Sequence, residues 1–138
     1  MTVSPKMIDW LLYNLVALRQ QVNALEPKTS TSVVVLCHRG GHNPDSMIER
    51  VAIRRAAVSS VLDAVERGIR LLHPEQRRIY RMKYRAGMTY KQIKRRLFLS
   101  DKTVQRRVEE IRSVVGQCLA SVPPGDLKEF DRFFSSGP

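Results

Sequence analysis

Residues 72–112 read LHPEQRRIYRMKYRAGMTYKQIKRRLFLSDKTVQRRVEEIR, and the order of caps, stops and apolar positions in this stretch decides the fold. Pro74 starts a helix, since proline is tolerated in a first turn. Ile79 and Met82, with Tyr80 or Tyr84, form its apolar face, and Gly87 is a good C-terminal stop. Thr89 caps a short helix over 89–97 with Ile93 and Leu97 inward. After a two-residue turn, Ser100 caps another, with Val104, Val108, Ile111 and Val115 inward. That succession is the spacing of a helix-turn-helix, in which a reading helix is held across a scaffold helix.

The same stretch carries the chain's charge. Residues 70–112 hold 14 Lys/Arg against 4 Asp/Glu, whereas the rest of the 138-residue chain holds 10 against 9. A polyanionic partner would therefore meet one segment and not the whole surface. Stepping round the helix from Val104 at about 100° per residue puts Lys102, Arg106, Glu109 and Glu110 outward, with Thr103 and Gln105 flanking. Gln can bond adenine bidentately, and Arg or Lys can bond guanine. Thr89 and Ser100 stand at helix N-termini, where phosphate is favoured, although both cap helices whether or not DNA is near. Lys91, Lys94, Arg95 and Arg96 extend the positive surface. The expected phosphate set is Thr89, Lys91, Arg95, Arg96, Ser100, Thr103 and Arg107.

Working outward, Ser4-Pro5 opens an N-terminal helix. Ile8, Leu11, Leu15, Leu18, Val22 and Leu25 follow 3-4 spacing until Pro27. Such a seam suits either pairing with a second subunit or packing on the chain's own domain. Residues 27–44 form a connector: the apolar run 33–37 has no visible partner strand, and Arg39-Gly40-Gly41 and Asn43-Pro44 are turn signals. Asp45 or Ser46 caps a long central helix, with Glu49 placed for a capping box. Its apolar face takes in Ile48, Val51, Val58, Val61, Leu62, Val65, Ile69 and Leu72. The helix from Ser100 extends to about Val122. A last amphipathic stretch carries Leu127, Phe130, Phe133 and Phe134, better read as a docked terminal helix than as a partner site.

Residues 72–112 resemble region 4 of the sigma factors, the helix-turn-helix that reads promoter elements. The features that carry the likeness are Leu72-x-Pro74, Tyr84-x-x-Gly87, Thr89-Tyr90-x-x-Ile93, Leu97 and Ser100-x-x-Thr103-Val104. With a helical N-terminus ahead of it, the chain is similar to the RinA/ArpU-type late transcriptional regulators of phages and prophages. The resemblance implies base contacts at Lys102, Gln105 and Arg106, the second, fifth and sixth positions after the cap. It implies double-stranded DNA as partner, RNA polymerase as a further one, and a bacterial cytoplasmic location. Two departures stand out. Lys94 replaces a usually small residue, and Phe98 replaces the usual glycine of the turn, where a positive φ is costly for a bulky side chain.

Other chemistries find little footing. Cys37, His38 and His42 make an incomplete ligand set with no zinc spacing, so no metal is expected, nor any other cofactor. Two distant cysteines make no disulfide framework. No nucleotide loop, catalytic serine motif or dense carboxylate cluster appears, so an enzyme is not expected. No apolar run approaches the length of a membrane span. The expectation is an all-α chain: a helical N-terminal and oligomerisation region (1–72), a helix-turn-helix domain (73–122) and an amphipathic tail (123–138). It acts as a homodimeric DNA-binding regulator. The alternatives are a DNA-recognition subunit like the phage small terminase, assembled as a ring, and a protein-interaction module with a basic face.

Overall fold

The computed structural model describes residues 3–24 and 47–135. Leu25, the connector 27–44 with its apolar run, the expected cap at Asp45 or Ser46, and Cys37, His38 and His42 lie outside the described residues. So do the side chains of Phe133 and Phe134. The described residues form six α-helices and no strand: α1 Pro5–Ala24, α2 Met47–Leu71, α3 Pro74–Tyr80, α4 Tyr90–Leu97, α5 Asp101–Ala120 and α6 Pro124–Ser135. A π-helical turn, Arg81–Arg85, extends α3. The all-α expectation therefore holds, and α5 stops two residues short of Val122.

Contacts divide the chain into two units. The first joins the described residues up to Leu15 with Asp63–Ser121. The helix-turn-helix thus has the first part of α1 and the last third of α2 in its own unit. Its core includes Leu11, Leu12, Val65, Ile79, Ile93, Val104, Val108, Ile111 and Val115, all between 0% and 1% exposed. Burial of large aliphatic side chains of this kind stabilises by about 1.5–3 kcal/mol each. Gly68 explains one close approach. A Cβ built on it would lie 3.0 Å from the Cα of Val115 and 3.1 Å from its Cγ2. Glycine weakens a helix interior by about 1 kcal/mol relative to alanine. Here it lets α2 and α5 meet at backbone distance.

The second unit joins the described residues of 16–62 with those from Val122 onward. Leu18, Val22, Ala57, Val58, Val61, Leu62, Val122, Leu127 and Phe130 are buried in the chain. Arg19 Nη1 reaches Ser59 Oγ at 3.5 Å.

Ile8, Leu11, Leu15, Leu18 and Val22 are all 6% exposed or less in the single chain. These five positions are covered within the single chain, where the sequence left open whether the chain itself or a second subunit covers them. The reason is that 3-4 spacing specifies one apolar stripe and says nothing of whose surface covers it.

Candidate nucleic-acid interface

Each helix of the module is started by a side chain. His73 Nδ1 accepts the Gln76 N–H at 3.4 Å, while the His73 N–H donates to Gln76 Oε1 at 3.2 Å. Thr89 repeats the reciprocal pattern with Gln92, at 3.3 and 3.0 Å. Ser100 Oγ accepts the Thr103 N–H at 3.2 Å and lies 2.9 Å from Thr103 Oγ1. These bonds satisfy donors that a helix start leaves open. They confirm Thr89 and Ser100 as caps and add His73, which the sequence does not announce because histidine is an uncommon capping residue.

The stops are equally defined. Gly87 closes the π turn at φ 70, and the Met88 N–H reaches back to Met82 O at 2.9 Å. That closure spans more residues than the corresponding bond of an α-helix, as the wider last turn requires. Phe98 ends α4 at φ 55, ψ 44, in the left-handed region. Its N–H and that of Leu99 both return to Lys94 O. The turn thus keeps a conformation that suits glycine, with a phenylalanine in it whose side chain is 93% exposed. The other departure, Lys94, sits partly exposed and reaches Asp101 Oδ2 at 3.3 Å.

On α5, Val104, Val108 and Ile111 are fully buried, while Lys102, Gln105 and Arg106 are exposed. Thr89, Lys91, Arg95, Arg96 and Ser100 are exposed as well, and Thr103 is half-buried beneath its bond to Ser100.

Arg107, a member of the expected phosphate set, is held in two ion pairs. Its Nε donates to Glu75 Oε1 at 2.6 Å, and its Nη1 donates to Glu110 at 2.8 and 3.2 Å. Hydrogen bonds donated to Glu110 and then to Glu75 hold the guanidinium pKa above its ordinary value, and the Arg107 hydrogen bond holds Glu110 below its own. Arg107 therefore fastens α5 to α3, and its charge is already answered by two carboxylates. In the sequence it stands beside Arg106 with nothing to tell them apart. Glu75 is 32 residues away.

Two further arrangements lay beyond sequence reasoning. Asp9 of α1 accepts from Arg112 Nε at 2.9 Å and Nη2 at 2.7 Å, and from the Tyr84 hydroxyl at 2.6 Å. Burial pushes this carboxyl up, but the hydrogen bonds from Arg112 and Tyr84 and the charges of Arg112 and Lys83 outweigh it, so its pKa falls below the ordinary value. Burial, then Asp9, pushes the Tyr84 hydroxyl well up. Beside them Lys83 Nζ lies 5.0, 4.9 and 5.0 Å from the ring centres of Tyr13, Tyr84 and Tyr90 and donates to the Tyr13 hydroxyl at 2.7 Å. Such cation–ring contacts contribute about 0.5–1 kcal/mol at exposed sites. The partners in these contacts are 103, 75 and 70 residues apart in the chain, too far for any local pattern to link them.

Among the described residues no group of three or more His, Cys, Asp or Glu is placed to hold a metal ion, and no helix is long and apolar enough to cross a membrane. Residues 62–113 match the family model described as Sigma-70, region 4. The helix-turn-helix just described lies within that match, which starts in α2 and ends in α5. The match covers somewhat over a third of the chain and marks a DNA-binding module. Comparison with curated proteins and with solved structures gave no match in either case.

Proposed function

From a sigma-70 region 4 domain at residues 62–113, we propose that this chain is a sequence-specific regulator of transcription that reads duplex DNA with Lys102, Gln105 and Arg106. One observation carries the reading. These three side chains are exposed at the start of a helix whose opposite side, Val104, Val108 and Ile111, is fully buried. The buried side and the Ser100 cap fix the helix, so the polar side is presented without further ordering. Thr89, Lys91, Arg95, Arg96, Ser100 and Thr103 bond the phosphate backbone, which positions the module without specifying sequence.

The finer reading, a late regulator of phage or prophage genes working with RNA polymerase in a bacterial cytoplasm, rests on the resemblance of the whole layout. A homodimer or a packaging ring rests on the N-terminal seam, whose Ile8, Leu11, Leu15, Leu18 and Val22 are buried in the single chain, so either assembly would have to pair through other side chains.

Selection of bound duplexes from a random pool tests the proposal and supplies the preferred site. Gln105→Ala or Arg106→Ala should then lose about 1–3 kcal/mol on that site and relax base preference at one or two positions. Lys91→Ala should weaken selected and scrambled duplexes alike. Equal losses on both duplexes for Gln105→Ala and Arg106→Ala would show that α5 is not the reading element.

A further inference from the structure

The helix ahead of the helix-turn-helix carries a second cationic surface. Arg77, Arg81 and Arg85 recur at four-residue spacing along α3 and its π turn, and so form one stripe. Arg70 of α2 joins them. Arg70, Arg77, Arg81 and Arg85 line an open groove of about 580 Å³ together with Leu15, Ile69, Tyr80 and one acidic residue, Glu66. Four positive charges against one negative leave the groove strongly cationic, and like charges at this helical spacing repel when nothing neutralises them.

This stripe is distinct from the reading surface. Toward α5, α3 presents Glu75, which holds Arg107. Toward α4, the π turn presents Lys83, which lies over Tyr90. Glu75 stands two residues, roughly 200°, from Arg77 around the helix. Lys83 stands two residues from both Arg81 and Arg85. Arg77 also has a structural role, because its Nη2 donates to the carbonyl oxygens of Arg70 and Leu72 at 3.2 and 3.1 Å and so closes the C-terminal end of α2. Arg70, Arg81 and Arg85 are exposed at the groove.

We propose that the groove lined by Arg70, Arg81 and Arg85 is a second anion site of the module and takes phosphate groups. Guanidinium forks donate two parallel bonds to phosphoryl oxygens, and convergence of several forks on one groove suits an ion of more than one negative charge. The phosphates come either from a second segment of DNA backbone, an arm that rests on the DNA-binding reading above, or from a small polyphosphate, an arm that does not.

The test uses the full chain carrying Arg70→Gln and Arg81→Gln, two exposed changes that leave the Arg77 cap in place. Sodium pyrophosphate and a duplex of scrambled sequence are titrated separately into this variant, the parent chain, and a Lys102→Ala, Gln105→Ala, Arg106→Ala variant. Pyrophosphate should bind the parent and the reading-helix variant alike, and bind the arginine variant about tenfold more weakly, a loss of about 1.4 kcal/mol. If the phosphates are those of DNA, the arginine variant also lowers the salt slope for the scrambled duplex by about two. Its preference for the selected site over the scrambled one stays as in the parent. A pyrophosphate effect without a duplex effect assigns the groove to a small polyphosphate. Should the double variant melt early, Arg81→Gln alone gives the same comparison. Unchanged binding of both probes by a folded variant overturns the proposal, whereas loss of sequence preference is read only from the reading-helix variant.

Discussion

Asp9 and Arg112 stand 103 residues apart and meet in a two-pronged ion pair, with Nε at 2.9 Å from Oδ1 and Nη2 at 2.7 Å from Oδ2. Each side chain is 26% exposed. The pair ties the N-terminal helix to the middle of α5, and the Tyr84 hydroxyl also donates to the carboxylate.

Arg112→Ala should therefore destabilise the chain by about 1–3 kcal/mol in urea unfolding, the range for a hydrogen bond to a charged group left unmade. The pH dependence has a definite sign. The Asp9 carboxyl is held below its ordinary value of 3.8 in the folded chain. Its contribution is fully present above that value and is lost as pH falls through the lower folded value. The gap in stability between the parent and Asp9→Asn should be constant near neutrality and close at pH below 3.8. A gap that stays constant through that window would show that the carboxylate is not held in this way.

Phe98 occupies the left-handed region at φ 55 with its ring almost fully exposed. That conformation costs a side-chain-bearing residue about 1–2 kcal/mol, and glycine avoids it. Phe98→Gly should stabilise the fold by about 0.5–1 kcal/mol once the added freedom of the unfolded chain is counted. Thermal melting should show a midpoint a few degrees higher. A lower midpoint would mean that the exposed ring packs on something that holds the turn.

Arg95 and Arg107 should separate in DNA binding. Arg95 is exposed on the scaffold helix, so Arg95→Ala should reduce the salt slope of duplex binding by about 1. Arg107 is held by Glu75 and Glu110, so Arg107→Ala should lower the melting midpoint more than Arg95→Ala and leave the salt slope close to that of the parent. Matching slopes for Arg95→Ala and Arg107→Ala would return Arg107 to the phosphate contacts.

Ile8, Leu11, Leu15, Leu18 and Val22 of α1 are buried in the single chain, so charged substitutions there should unfold it instead of releasing a folded monomer. Leu11 is 0% exposed, and Leu11→Ala should destabilise by about 2–5 kcal/mol. Leu15→Asp with Leu18→Asp should abolish cooperative melting. A well-folded double variant of halved mass in solution would restore the subunit interface.

The amino-acid sequence by itself determined the helices of the module, their caps at Thr89 and Ser100, the stop at Gly87, and the buried and exposed sides of α5. These rest on bonds and periodicities between residues a few positions apart, so both partners stand side by side in the chain. The capping box at His73 is equally local, but histidine is seldom a cap and its presence there gives no signal. Tertiary structure alone decided the rest. It buried Ile8, Leu11, Leu15, Leu18 and Val22 of the heptad-like seam within the single chain, which spacing alone does not tell, because an apolar stripe has the same spacing whichever surface covers it. It separated Arg107 from its neighbour Arg106, because only folding brings Glu75 to one of them. It placed Asp9 on Arg112 and Tyr84, and gathered Arg70 with Arg77, Arg81 and Arg85 around one groove. Charge and hydrogen bonding act over a few ångströms, and which charges come that close is settled by the packing of helices, not by their order in the chain.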